Sequence, residues 1–78
     1  MKHYKLVLLV YASVNSKAAW SIIEKNEKYY EIGTNAYEDY MDCRASLNYR
    51  RENGMLPDDE TYVVQLWKDF TLKEQTKI

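Results

Sequence analysis

Cysteine, histidine, proline and glycine are nearly absent: one cysteine, one histidine, one proline and two glycines are all that 78 residues contain. A lone cysteine forms no intramolecular disulfide and no cysteine-based zinc site. A lone histidine, His3, removes paired-histidine metal sites and most Cys-His and Ser-His catalytic arrangements. No Gly-rich phosphate loop or nucleophile elbow occurs. An excess of one charge is also missing, because 11 Lys+Arg stand against 12 Asp+Glu for a net charge of −1. Nucleic-acid binders usually carry a basic domain, so charge gives no global reason to expect DNA, RNA or an anionic membrane as the main partner. Long apolar runs are lacking too. "LVLLVYA", Leu6 to Ala12, is too short to span a bilayer and sits at the short edge of a secretory h-region. It reads as a strand, and the cytoplasm is the expected compartment.

What is present is an ordinary globular balance with unusual aromatics. Hydrophobic residues make up 46% and charged residues 29%, which argues against general disorder. Eight of the eleven aromatic residues are tyrosines. The chain, 1–78, reads as a single domain near the lower size limit for one hydrophobic core, where a partner subunit commonly adds burial.

Lys5 to Ala12 is apolar in both alternating registers, with Leu6, Leu8 and Val10 on one and Val7, Leu9 and Tyr11 on the other. Such a run suits a strand covered on both faces. "SVNSK", Ser13 to Lys17, is a polar turn. The segment that follows reads two ways. As a hairpin, Ala19 to Glu24 pairs with Lys28 to Ile32 across "KNEK". As a helix, Ser16 caps a segment over 16–26 with Ala19, Ile22 and Ile23 inward. Its β-branched and aromatic residues favour the hairpin.

"EIGTNAYEDYMDCRASLNYRRENG", Glu31 to Gly54, reads as a helix with a start, a face and an end. Asn35 followed by Glu38 suggests a capping box, and Gly54 supplies a left-handed terminus. Carboxylates fill the first half and Arg44, Arg50 and Arg51 the second, as the helix dipole prefers. Ala36, Tyr40, Cys43 and Leu47 form one stripe at helical spacing, flanked by Tyr37 and Met41. After "MLPDDE", Thr61 to Glu74 reads as one further strand, with Val64, Leu66 and Phe70 on its even register and Trp67 on its odd one. The expected fold is therefore a small α+β domain: an antiparallel-rich sheet with one amphipathic helix in the order β-β-β-α-β, or β-α-α-β if 16–26 is helical. One helix covers one sheet face, so the second face calls for a dimer mate or another partner.

The candidates for chemistry have plain structural readings. Glu38, Asp39 and Asp42 resemble a magnesium cluster on paper, but they suit a solvated, dipole-matched first turn better. Cys43 lies on the inward stripe, where a thiol packs as a small hydrophobe. Nothing here points to an enzyme, a metal or a cofactor.

The stretch from Gly33 to Pro57 resembles the partial RNase H fold of HicB-type antitoxins, in which a strand runs into a Gly-x-Thr-like helix start and the amphipathic helix ends in Gly and then Pro. Gly33, Thr34, Glu38, Ala45, Gly54 and Pro57 hold comparable places. The aromatic-Pro-x-Leu-Pro-Gly-Cys segment of that family is missing. "KLVLLVYASVN" also offers none of the acidic residues that RNase H enzymes carry on their first strand, so the resemblance implies the fold without the catalysis.

The expected function is that of a non-enzymatic protein-binding module, a small inhibitor or antitoxin-like regulator of the kind phages and mobile elements encode. Its partner is another protein or a second copy. Val7, Leu9, Tyr11 and Trp67 on the sheet, with Tyr37, Arg44 and Arg51 on the helix, are the expected contacts, since tyrosine, tryptophan and arginine dominate interface hot spots. The alternative is a nucleic-acid-binding regulator using Arg44, Arg50, Arg51 and tyrosines.

Overall fold

A computed structural model describes residues 3–14 and 19–78. Four strands and one helix follow in the order β1 (Tyr4–Val14), β2 (Ala19–Tyr30), α1 (Gly33–Glu52), β3 (Glu60–Lys68) and β4 (Thr71–Lys77). The strands form one antiparallel sheet in the order β2-β1-β3-β4. The fold class is the expected small α+β one, but the strands are divided two before the helix and two after it. Both differences arise at turns. Ala19 to Tyr30 is a single strand that runs through Asn26, because the whole length of β1 is available to pair with it. The 16–26 segment is therefore strand from Ala19 on, and the cap at Ser16 and most of the Ser13–Lys17 turn lie outside the described residues.

The second difference is at the C-terminal end. Thr61 to Glu74 is not one strand but a hairpin, turning at Asp69 and Phe70 with φ of 47° and 69°. Two successive left-handed residues make a type I′ turn, whose twist matches that of the flanking strands. Asp tolerates this conformation, whereas a bulky aromatic does so only under strain. Phe70 therefore points away from the core and is 98% exposed. The turn is tied down by the N-terminal end of the chain: Asp69 N–H donates to the His3 carbonyl (2.9 Å), and His3 N–H donates to Asp69 Oδ1 (3.0 Å).

The helix packs on one face of the sheet through the expected stripe. Ala36, Tyr40 and Leu47 are buried against Val64 and Leu66, with Leu6, Leu8, Tyr62 and Cys43 packed around them. Tyr40 also reaches β4, its hydroxyl 2.7 Å from Thr76 Oγ1. The helix begins two residues before the expected capping box: Ile32 is the N-cap and no side chain caps the first turn. The Tyr4 ring lies directly over this first position, where a Cβ would overlap ring atoms, so the packing requires a glycine at 33. The C-terminus ends as expected. Gly54 has φ of 67°, Gly54 N–H donates to Arg51 O (3.3 Å) and Met55 N–H donates to Arg50 O (2.8 Å), the paired bonds of a Schellman motif.

Candidate protein-binding face

Residues paired across an antiparallel ladder point to the same side of the sheet. Leu6 pairs with Leu66 and Leu8 with Val64 on the helix side, so Val7, which pairs with Gln65 and Glu27, and Leu9, which pairs with Val63 and Lys25, face the other way. Lys5 with Trp67 and Tyr29, Tyr11 with Thr61 and Ile22, and Ser13 with Trp20 continue that face, and Leu72, Gln75 and Lys77 of β4 extend it beyond β3. Among the described residues no helix or strand lies over it.

Even so, its centre is sealed. Val7 and Leu9 are only 2% and 8% exposed, because they sit on an inner strand and the long side chains on either side close over them. That cover is a bonded polar layer. Lys25 pairs with Glu27 at 2.9 Å, and the Tyr29 hydroxyl donates to Glu27 at 2.6 Å. Trp67 Nε1 donates to Gln65 Oε1 (3.0 Å), and Gln65 Nε2 donates to Gln75 Oε1 (2.6 Å). The Tyr29 hydrogen bond and then Lys25 hold the Glu27 carboxyl below its ordinary range, and the same carboxylate raises Lys25 and Tyr29. Lys5 lies with its ammonium 5.1 Å from the Trp67 ring centre and 6.0 Å from that of Tyr29, a cation held between two aromatic faces.

The open part of the face is toward one end. There Tyr11, Trp20, Thr61, Val63, Gln75 and Lys77 line a shallow groove of ≈ 430 Å³. Trp20 and Ile22 stand 45% and 53% exposed beside it. A smaller cleft of ≈ 240 Å³ lies at the opposite end, between Lys5, Tyr29, Trp67 and the Phe70 turn.

The seven residues expected from the sequence fall on two separate surfaces. Val7, Leu9, Tyr11 and Trp67 share the helix-free face, but only Tyr11 and Trp67 of these are partly accessible. Tyr37, Arg44 and Arg51 are on the helix, across the sheet from them. Tyr37 is exposed. Arg44 lies over the Tyr40 ring at 5.8 Å and donates to Met41 Sδ at 3.5 Å. Arg51 is occupied within the chain, donating to the carbonyls of Pro57 (2.9 Å), Glu60 (2.5 Å) and Ile78 (3.4 Å) while its guanidinium lies 5.8 Å from the Tyr62 ring. It fastens the loop after α1 to the ends of β3 and the chain.

Trp20, Thr61, Val63, Gln75 and Lys77 of the groove, and Ile22 at its margin, were not among the expected contacts. For Trp20 and Ile22 the signal was their alternation, with Lys25, Glu27 and Tyr29 beyond, once Ala19 to Tyr30 is read as one strand; for the β3 and β4 residues it was the turn at Asp69 and Phe70, which folds Gln75 and Lys77 back beside Val63.

On the helix, Asp39 accepts from Tyr30 and Lys28, while Glu38 and Asp42 are exposed. Among the described residues no group of three or more His, Cys, Asp or Glu converges as a metal site would need. Cys43 is half-buried, and burial raises its thiol pKa, with Arg50 acting in the other direction. No helix among the described residues is long and apolar enough to cross a membrane. No protein-family model, curated protein or solved structure matches the chain.

Proposed function

We propose that this chain is a non-enzymatic protein-binding module, a small inhibitor or antitoxin-like regulator that acts by docking the helix-free face of its sheet on a partner protein. The observation that carries this reading is the groove between Tyr11, Trp20 and Val63, with Ile22 exposed at its margin. Exposed aromatic and aliphatic side chains gathered on one surface are characteristic of interaction sites. The bonded layer of Lys25, Glu27, Gln65 and Gln75 beside the groove gives it a polar rim, the usual arrangement around an interface core. Trp20 is the expected anchor, since a tryptophan seated at an interface centre typically contributes about 2 kcal/mol or more on truncation.

The test begins with capture of a partner from the native host and continues with the purified pair. Trp20→Ala should weaken binding by about thirtyfold, while Tyr49→Ala, on the outer face of the helix, should leave it unchanged. Equal effects of the two substitutions would place the interface elsewhere. Affinity that falls steeply with salt, together with sensitivity to Arg44→Ala and Arg50→Ala, would replace this reading with a nucleic-acid-binding one.

A further inference from the structure

Of the two edges of the sheet, β2 and β4, the longer is β2, twelve residues long and exposed from Ala19 to Tyr29. Alternate residues of an edge strand turn their N–H and C=O groups away from the sheet, and such an edge is a template for another strand. Proteins commonly protect an edge by making it short or by adding charge of one sign, proline or a bulge. Here there is no proline, the charges are of both signs, and the one bulge in the pairing of β2 with β1 is at Ile23, where Val10 pairs with Glu24 and Tyr11 with Ile22, so the regular part of the edge runs from Glu24 to Tyr30. Among the described residues no backbone bond from another segment reaches the free side of β2. The helix packs mainly over β1 and β3 and touches β2 through Asp39, which accepts from Lys28 (3.4 Å) and Tyr30; the Lys28 ammonium keeps donors for a further carboxylate, and Glu24 to Glu27 are open.

The sequence of this edge is its own complement. Around Asn26 the charges run Glu24, Lys25, Glu27, Lys28. In an antiparallel pairing with Asn26 opposite Asn26, Lys25 meets Glu27 of a second copy and Glu24 meets Lys28. Ile23 and Tyr29 meet just beyond. A slip of one residue either way puts Glu24 opposite Glu27, or Lys25 opposite Lys28. A slip of two puts Lys25 or Glu27 opposite itself, and an in-register parallel pairing sets every charge against its like. Directly opposed like charges destabilise a strand pair and opposite ones stabilise it. Of these arrangements, only the first satisfies every charge.

We propose that β2 pairs edge to edge with β2 of a second copy of this chain, antiparallel and centred on Asn26, to give a continuous eight-stranded sheet. The two-fold axis is perpendicular to the sheet, so both helices lie on one side and both helix-free faces join into one surface on the other. The existing bonds within β2 need not break. Lys25 and Glu27 lie on the helix-free side and Glu24 and Lys28 on the helix side, and a carboxylate can accept from both its own strand and the new one. This pairing uses the edge and not the face, so it holds whether or not the groove takes a different protein.

Sedimentation equilibrium of the wild type, of Lys25→Glu and of the swapped Lys25→Glu/Glu27→Lys chain tests it. The wild type should sediment at twice the monomer mass. Lys25→Glu sets like charges at two symmetric contacts and should weaken dimerisation by about tenfold or more. The double swap restores opposite charges at the same positions and should recover dimerisation. Glu24, Lys25 and Lys28 are exposed and Glu27 is partly covered, and circular dichroism melts check that each variant is folded before its mass is compared. A wild type that stays monomeric up to millimolar concentration overturns the proposal. So does a dimer indifferent to Lys25→Glu, and one broken equally by the single and double variants. A dimer that dissolves on Trp67→Ala but not on Lys25→Glu assigns the contact to the face instead.

Discussion

The Tyr30 hydroxyl donates a 2.6 Å hydrogen bond to the Asp39 carboxylate, tying the last residue of β2 to the second turn of α1. Burial and then this bond push the Tyr30 phenol well above its ordinary value. The same bond, with help from Lys28, holds Asp39 below the usual carboxylate range against the opposing effect of partial burial. A depressed carboxyl stabilises the fold above its unfolded pKa and loses that contribution as pH falls through the folded one. A raised phenol contributes fully below its unfolded pKa and loses the contribution as pH rises beyond it. The stability gap between wild type and Tyr30→Phe should therefore be widest between about pH 5 and about pH 9, and close at both ends. Thermal melts across pH would show this, and a gap that is constant across pH would mean the pair is not coupled.

Gly33→Ala should destabilise the domain, although alanine is the better helix former by about 1 kcal/mol. The added methyl group overlaps the Tyr4 ring, and overpacking of this kind costs about 1–3 kcal/mol. The difference is about 0–2 kcal/mol, and each net kcal/mol lowers the melting temperature by about 4–8 °C. In a Tyr4→Ala background the obstacle is gone, so the same change should be neutral or stabilising.

Phe70→Gly should stabilise the domain by about 0.5–1 kcal/mol, because glycine accepts the left-handed backbone that costs an L-residue about 1–2 kcal/mol, less its own entropic cost. Chemical denaturation would measure it. A stabilised variant that also loses partner binding would show that the strained, exposed ring serves the interface.

Leu47→Asp should abolish cooperative folding. Leu47 is 6% exposed in the core between α1 and the sheet, and an unpaired carboxylate there costs several kcal/mol out of a total that for small domains is about 5–15 kcal/mol. A cooperative melt near that of the wild type would mean that the helix turns a different stripe to the sheet.

Cys43→Ala should cost about 1 kcal/mol and leave partner binding intact, as for a small apolar side chain at the core margin. Burial raises the thiol's pKa, so alkylation by iodoacetamide at neutral pH should be slow in the native protein and fast after denaturation.

The helix was legible in the sequence because its evidence is local. Ala36, Tyr40 and Leu47 repeat at the helical period, and Gly54 supplies the one left-handed residue its end requires. The apolar identity of β1 in both registers was legible for the same reason, as was the α+β class. The extent of β2 and the turn at Phe70 were not. Asn26 can begin a turn or pass through a strand, and what decides is whether a partner strand lies alongside for the whole length, which is a tertiary fact. Asp69-Phe70 carries no glycine to announce a type I′ turn; pairing of β3 with β4 imposes it. The candidate site divides in the same way. Tyr11 and Trp67 could be named from the chain alone, but the arginines could not be sorted. Whether Arg51 meets a partner or three carbonyls of its own chain depends on where Pro57, Glu60 and Ile78 come to rest. From the sequence alone, the second sheet face calls for a covering element. Residues far apart in sequence, Lys25 and Glu27 on one side and Gln65 and Trp67 on the other, instead close over Val7 and Leu9 because the sheet order places β1 between their strands. Periodicity fixes which side of an element is apolar; only the packing of neighbouring strands determines how much of that side remains open to another molecule.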